Sequence, residues 1–363
     1  MLHLFRSKPD LIVHSEEPFN AEPPLARLRA AYVTPQRDFY VRTHGGVPDV
    51  DPSAHRLRVD GRVAGAVELD LAALRERFPR RTVTAVMQCA GNRRADMRRV
   101  RPVKGDPWAG GAIGNAEWAG VALADVLRAA GAETGPGLHV AFSSLDECEV
   151  DGERFRYAVS IPMEKAAAPE VLLAYEMNGE PLAPADGFPL RAVVPGYAGV
   201  RSAKWLTGVT VQDRPSDGHC QARDYKLFPP DVTEETADWS KGIPINEMPL
   251  NAAICEPAPH AELKPGPLLL RGYAIATGRS IVRVDVSADG GRTWRQAELE
   301  HDAGAPWSWT FWRASIDLPA GEHELAVRAW DCAGQTQPAA PDDTWNFKGY
   351  LSASWHRVPV RAG

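Results

Sequence analysis

The five cysteines of this 363-residue chain, Cys89, Cys148, Cys220, Cys255 and Cys332, lie far apart and form neither a CxxC nor a CxxCH pair. An odd count at such spacing fits no disulfide framework, cysteine-rich zinc site or c-type haem attachment. Reduced thiols in a cytosolic protein are the simplest reading. No stretch approaches the roughly 18 consecutive apolar residues of a membrane helix. The beginning, "MLHLFRSKPDLIVHSEEPFNAEPP", lacks the apolar run of a secretory leader and any twin arginine, and the end, "VRAG", is no peroxisomal address. A cytoplasmic protein is expected. No lysine or arginine block dominates either. Forty-one basic residues against 47 acidic ones leave a formal charge of -6, which argues against nucleic acid and anionic membrane as partners.

The chain is ample for real cores, so neither metal nor disulfide is needed for folding alone. At roughly 150 residues per domain the length predicts two domains, with three as the alternative. Residues 12–50 are rich in proline and read as an extended, irregular segment, not a helix. "HRLRVDGRV" alternates like a strand, "DLAALRERF" has helical spacing, and Thr82–Met87 is a β-branched strand. "GVALADVLRAAG" predicts a short amphipathic helix closed by Gly131. "HVAFSSLD", "VLLAYEMNGEPL" and "FPLRAVVPGYAG" read as further strands.

From about Ile245 the pattern changes to short alternating strands, with "ADGG" as a hairpin-turn signal. The fold class expected is therefore α+β. A mixed α/β domain, residues 1–240, precedes an all-β sandwich of immunoglobulin type, residues 245–363. The boundary falls in "DVTEETADWSKGIPINEMP", residues 231–249.

"TVTAVMQCAGNRRADM", residues 82–97, holds the most chemistry. A buried-type strand breaks at Cys89 into Ala-Gly-Asn, a turn small enough for something bulky to approach. Arg93 and Arg94 follow, and nearby cations favour the thiolate that binds metal or attacks carbon. A cysteine hydrolase would need a histidine in reach, with His44, His139 and His219 available, but no hydrolase signature surrounds Cys89. A metal held by one protein sulfur requires an organic cofactor to bring the remaining soft ligands. Arg42, Arg94, Arg191, Arg201 and Lys204 lie in apolar, glycine-bounded segments. Buried cations need anions, which points to a small anionic ligand or a cofactor phosphate. Tyr225 and Trp108 are weaker signals, since an aromatic beside glycine or proline is most often packing.

The motifs "MQCAGNRRADM", "GAIGNAEWAGVALADVL", "VLLAYEMNGEPL", "GFPLRAVVPGYAGVRSAKWL", "DYKLFPP", "VDVSADGGRTW" and "WNFKGYLSASWHRV" stand in one order over about residues 12–360. Together they resemble the sulfite oxidase family, and "EPFNAEPPLARLRAAYVTP" resembles its haem-free plant-type branch most. The resemblance implies a molybdopterin cofactor, one molybdenum per chain and no haem. It implies oxidation of sulfite to sulfate by oxygen-atom transfer, with two electrons passed to oxygen or a separate carrier. Cys89 matches the metal ligand. Arg42, Arg94, Trp108, Tyr225 and Lys348 match the substrate site. Tyr40, Arg42, His44, Asp146, Asp186, Arg191, Ser202 and Lys204 match cofactor contacts. The second domain matches the family's immunoglobulin-like dimerisation domain, so a homodimer is expected, with a strand "WNFKG" reaching back to the pocket.

Three departures from the family pattern stand out. Thr43 replaces the Asn of Arg-Asn-His, and Asp186 the His of His-Gly-Phe-Pro. Lys348 replaces the Arg of "WNLRG", keeping charge but losing the bidentate fork; weaker sulfite affinity follows. Rival readings are another oxotransferase of the superfamily, nitrate reductase-like, and a cysteine-dependent hydrolase.

Overall fold

Local sequence sets the elements around the site. In the computed structural model, which describes Lys8, residues 10–150 and residues 152–363, helix Leu71–Arg77 starts where Asp70 accepts a hydrogen bond from the Ala73 amide at 2.8 Å. That is an ordinary N-cap. Helix Leu123–Ala129 buries Leu123, Val126 and Leu127, and Gly131 follows it at φ 65°. Residues 1–7 and Pro9, the start of the stretch read for a leader, lie outside the described residues.

Two five-stranded sheets build the first domain. One runs Glu180–Pro181, Leu172–Met177, Ile113–Ala122, Arg80–Gln88, with Arg191–Val193 also pairing with 172–177. The other runs Val67–Leu69, Leu57–Gly61, Leu206–Gln212, His139–Val150, Glu153–Pro162. Its central strands bury Leu57, Val59, Val140, Phe142, Val209 and Val211. The second domain packs a four-stranded sheet (Asn251–Glu256, Gly266–Ile275, Thr310–Leu318, Glu298–Glu300) on a five-stranded one. The latter is Glu262–Leu263, His356–Ala362, Gly321–Asp331, Ile281–Ser287, Arg295–Gln296. Trp312, Leu270, Val327 and Val358 fill the space between them. Among the described residues no helix is long and apolar enough to cross a membrane.

Two expectations change and one holds. Residues 12–50 are not irregular: strands Ile12–Ser15, Asn20–Glu22 and Val41–Arg42 form a small sheet, and Leu25–Ala30 is a helix. Proline hid it, because Pro24 stands at the helix N-cap, before the turns in which a missing N–H would matter. "ADGG" lies in the turn of an antiparallel hairpin, Ile281–Ser287 with Arg295–Gln296, as expected. Residues 288–294 connect the strands, and Asp289 accepts from the amides of Arg292 and Thr293 at 2.9 Å. "WNFKG" is not a strand but a turn, with Gly349 at φ 63°. It does return to the first domain, where the Leu351 amide donates to Ala90 O at 2.8 Å.

Candidate cofactor and anion site

Cys89 follows the last residue of strand Arg80–Gln88, so the sheet edge delivers the sulfur while the next residues turn away. The turn is closed by the Asn92 amide on Cys89 O at 3.0 Å. Cys89 is 5% exposed, and its sulfur accepts one hydrogen bond, from the Gly91 amide at 3.4 Å. The two adjacent arginines then part company. Arg93 takes a left-handed conformation, φ 64°, and turns to Asp96 at 2.8 Å and Asn251 at 2.9 Å. Arg94 begins a short helix and points the other way.

Two cavities meet in front of the sulfur. The inner one, of about 630 Å³, includes Cys89 and Tyr225 in its wall. All eight residues expected to hold a cofactor line it: Tyr40, Arg42, His44 and Asp146 on one part of the chain, Asp186, Arg191, Ser202 and Lys204 on another. The outer cavity, of about 980 Å³, is lined by Arg94, Lys348, Asp224 and Tyr350. Arg42 and His44 belong to both, so they form the threshold between them.

Arg94 crosses to the outer cavity through a slot cleared by glycines. A Cβ at Gly349 would stand 2.6 Å from Arg94 Cγ, and one at Gly105 2.9 Å from Nη1; both glycines also have positive φ. Arg94 Nε donates to Lys348 O at 3.2 Å and Nη1 to Asp106 O at 3.0 Å. Its guanidinium carbon lies 5.3 Å from the Tyr350 ring centroid. Lys348 is paired with Asp224 at 3.1 Å, and Asp224 also faces His219 at 3.5 Å.

Electrostatics set the protonation states. Burial pushes the Cys89 thiol up, against the opposing pull of Arg42 and Arg94. The expectation that Arg93 and Arg94 favour a free thiolate is thus overturned: desolvation wins, and Arg93 is turned away. Burial, then Arg42 and Lys204, hold His44 well below its ordinary value, so it is neutral. His44 Nε2 is hydrogen-bonded to Tyr225 Oη at 2.7 Å, and burial keeps that phenol protonated. Lys204 is lowered to about 7 by burial and by Arg191. Its ammonium donates to Arg42 O at 3.1 Å and Ala185 O at 2.9 Å. Arg191 donates to Asp186 O at 2.7 Å and Ser202 O at 3.1 Å.

The inner cavity is built for an anion that brings its own metal ligands. Three cations line it, Arg42, Arg191 and Lys204, against two carboxylates. The Asp146 Oδ1 atom is buried without a hydrogen-bond partner. A Cβ at Gly199 would come 2.8 Å from Tyr40 Oη, so the backbone must approach closely there. Among the described residues no three His, Cys, Asp or Glu side chains converge on a metal position. A metal at Cys89 would therefore take its other ligands from the cofactor, and its charge would displace the thiol proton that burial retains. The residues fit a phosphate-bearing pterin.

Some residues fall elsewhere. Trp108 is fully buried in the cluster that holds Cys89, and its indole N–H has no partner. It lines neither cavity, unlike the pocket aromatic expected. Tyr350, stacked on Tyr225 with centroids 5.0 Å apart, lines the outer cavity. Arg201 lines neither cavity and donates to Ile245 O at 2.9 Å. Sequence reasoning missed Tyr350, Asp224 and Lys8. Tyr350 was the most accessible of these, two residues beyond Lys348. None of the three histidines weighed for the hydrolase reading is hydrogen-bonded to Cys89: His44 faces Tyr225, His219 faces Asp224, and His139 sits on the strand paired with Gln212.

Comparison with known proteins agrees with this geometry. Residues 44–220 match the oxidoreductase molybdopterin binding domain and residues 243–363 the Mo-co oxidoreductase dimerisation domain. Fold and site thus define a molybdopterin-binding oxidoreductase. The chain is 47% identical over 358 residues to sulfite oxidase of Gallus gallus, covering 96% of this chain and 77% of that one. It is 42% identical over 375 residues to sulfite oxidase of Arabidopsis thaliana, covering 98% and 95%. The chain belongs to the sulfite oxidase family. Nitrate reductase [NAD(P)H] of Hordeum vulgare is more distant, 37% identical over 95% of this chain and 41% of its own. Among solved structures, the sulfane dehydrogenase SoxCD of Paracoccus pantotrophus superposes with a TM-score of 0.81 at 27% identity, covering 98% of this chain and 89% of that one.

Proposed function

We propose that the chain oxidises sulfite to sulfate with a molybdopterin, one molybdenum per chain, held at Cys89. One observation carries the reading. A buried cysteine sulfur faces a cationic cavity, which opens across Arg42 and His44 onto a second cavity carrying Arg94 and Lys348. When bound, the cofactor supplies the oxygen-atom transfer and two-electron chemistry. Arg191, Lys204 and Ser202 hold its anionic end. Arg42, Arg94 and Lys348 bind and orient the sulfite dianion at the threshold, where charge complementarity and fixed geometry lower the barrier. Tyr225, protonated and tied to His44, offers a hydroxyl at the meeting of the two cavities. Trp108 supports Cys89 from the core.

The electrons pass to oxygen or to a separate carrier, and no haem is invoked. The all-β sandwich of residues 251–362 supports an immunoglobulin-like dimerisation unit and a homodimer. Five free cysteines support a reducing, cytoplasmic setting. Sulfite turnover by the molybdenum-loaded protein with oxygen, ferricyanide and cytochrome c as acceptors tests the reading. Turnover of nitrate and not sulfite would move it to the nitrate reductase branch, which the cation at Lys348 disfavours.

A further inference from the structure

Asp186 places a carboxylate in the wall of a cavity that must accept an anion. It is 2% exposed, so its charge is not relieved by water. The relief comes from a distant part of the chain. Lys8, itself 3% exposed, donates to Asp186 Oδ1 at 3.3 Å, and its ammonium lies 3.2 Å from Oδ2. It does not line the cavity; it stands behind the carboxylate. The same ammonium donates to Gln36 O at 2.7 Å and Phe39 O at 3.0 Å. All three of its N–H donors are therefore used. Two of them fix the backbone that leads directly into Tyr40 and Arg42, which line the same cavity.

The Asp186 turn is held from both sides. Arg191 and Lys204 bind its backbone, at Asp186 O and Ala185 O, while Lys8 binds its side chain. Removing Lys8 would leave three lining cations facing two carboxylates, one of them buried and unpaired. Its presence offsets the Asp186 charge and so enlarges the positive excess that a phosphate-bearing ligand meets.

Resting on the functional reading above, we propose that Lys8 is a positioning residue of the cofactor cavity: by pairing with Asp186 it neutralises the carboxylate and makes the cavity accept an anionic group. The need for a charge at Lys8 arises because position 186 carries an acid. Lys8 and Asp186 therefore act as one unit, and either one alone is worse than neither.

The test compares the wild-type chain, Lys8→Met, Lys8→Arg and Lys8→Met/Asp186→Asn, expressed in a host that makes the cofactor. Pterin and molybdenum per folded chain are measured by fluorescence after oxidative release and by elemental analysis, with circular dichroism counting folded chains. Lys8→Met is expected to lose about tenfold or more in pterin content, because one buried charge is left without its partner. Lys8→Arg is expected to retain most of it, and the double variant to recover it. Full pterin in Lys8→Met would overturn the proposal, as would a double variant no better than Lys8→Met. If Lys8→Met does not fold, the double variant decides: it must fold and hold pterin. A wild-type chain without pterin would sink the functional reading instead. Inorganic phosphate, titrated by thermal shift, then decides this proposal: weaker for Lys8→Met, recovered in the double variant, or the proposal fails.

Discussion

Replacing Arg94 by glutamine isolates the charge that the outer cavity directs at its substrate. Two of the guanidinium's donors are committed to the carbonyls of Lys348 and Asp106, at 3.2 and 3.0 Å. Its Nη2 group makes no hydrogen bond to another described residue and is left for the ligand. A unit charge about 4 Å from one negative charge of sulfite contributes about 4 kcal/mol at an effective dielectric near 20. Desolvation, together with the remaining cations Arg42 and Lys348, offsets about half of that, leaving about 2 kcal/mol. At 1.36 kcal/mol per decade, kcat/KM should fall about 30-fold. Arg94→Lys keeps the charge but cannot span both carbonyls, so a loss of about fivefold is expected. The assay is steady-state sulfite oxidation, normalised to molybdenum content, with thermal unfolding as control. Arg94→Gln within twofold of wild type at equal molybdenum content would refute the reasoning.

Further consequences concern the threshold, the mouth and the inner wall. Tyr225→Phe removes the hydroxyl bonded to His44 at 2.7 Å; kcat/KM should drop about tenfold, and thermal stability fall by about 1–2 kcal/mol because a buried imidazole nitrogen loses its partner. Lys348→Arg can keep Asp224 with one edge of its fork and offer the other to substrate, so KM for sulfite should fall several-fold; steady-state kinetics with no gain in KM would count against this. Lys204, lowered to about 7 by burial, is charged in the cofactor-free chain only below that value. Inorganic phosphate should therefore bind that chain more weakly at pH 8.5 than at pH 6, as a thermal-shift titration would show. The sign for stability is the reverse: between about pH 7 and 10.5 the unfolded chain binds the extra proton, so this group raises stability of the cofactor-free chain as pH rises.

The sequence was most readable where local pattern and tertiary demand agree. The strand read at Thr82–Met87 and the helical spacing of "DLAALRERF" follow from periodicity, and both form, as Arg80–Gln88 and Leu71–Arg77. The cofactor wall was readable only through the ordered motifs, because its members come from segments that composition leaves unconnected. What escaped was pairing across the chain. Asp186 read as a departure, a carboxylate where the family pattern has histidine, whereas Lys8, 178 residues away in sequence, supplies its counter-charge. Arg93 and Arg94 looked alike until one left-handed residue sent them to opposite sides. The Cys89 thiol looked activated because flanking cations are visible in sequence, while the desolvation that outweighs them is not. Trp108 read as a site aromatic for a similar reason: an aromatic beside glycines reads the same under a site as in its wall.

The central claim, a molybdenum held by the sulfur of Cys89 and reduced by sulfite, has one direct measurement. The purified, cofactor-loaded protein is titrated anaerobically with sulfite while the molybdenum is counted and its electronic absorption followed, beside Cys89→Ser. The wild-type chain is expected to hold one molybdenum and one pterin and to show sulfite-dependent reduction that Cys89→Ser does not. A wild-type protein carrying molybdenum whose spectrum sulfite leaves unchanged, or a Cys89→Ser variant reduced as readily, would contradict it.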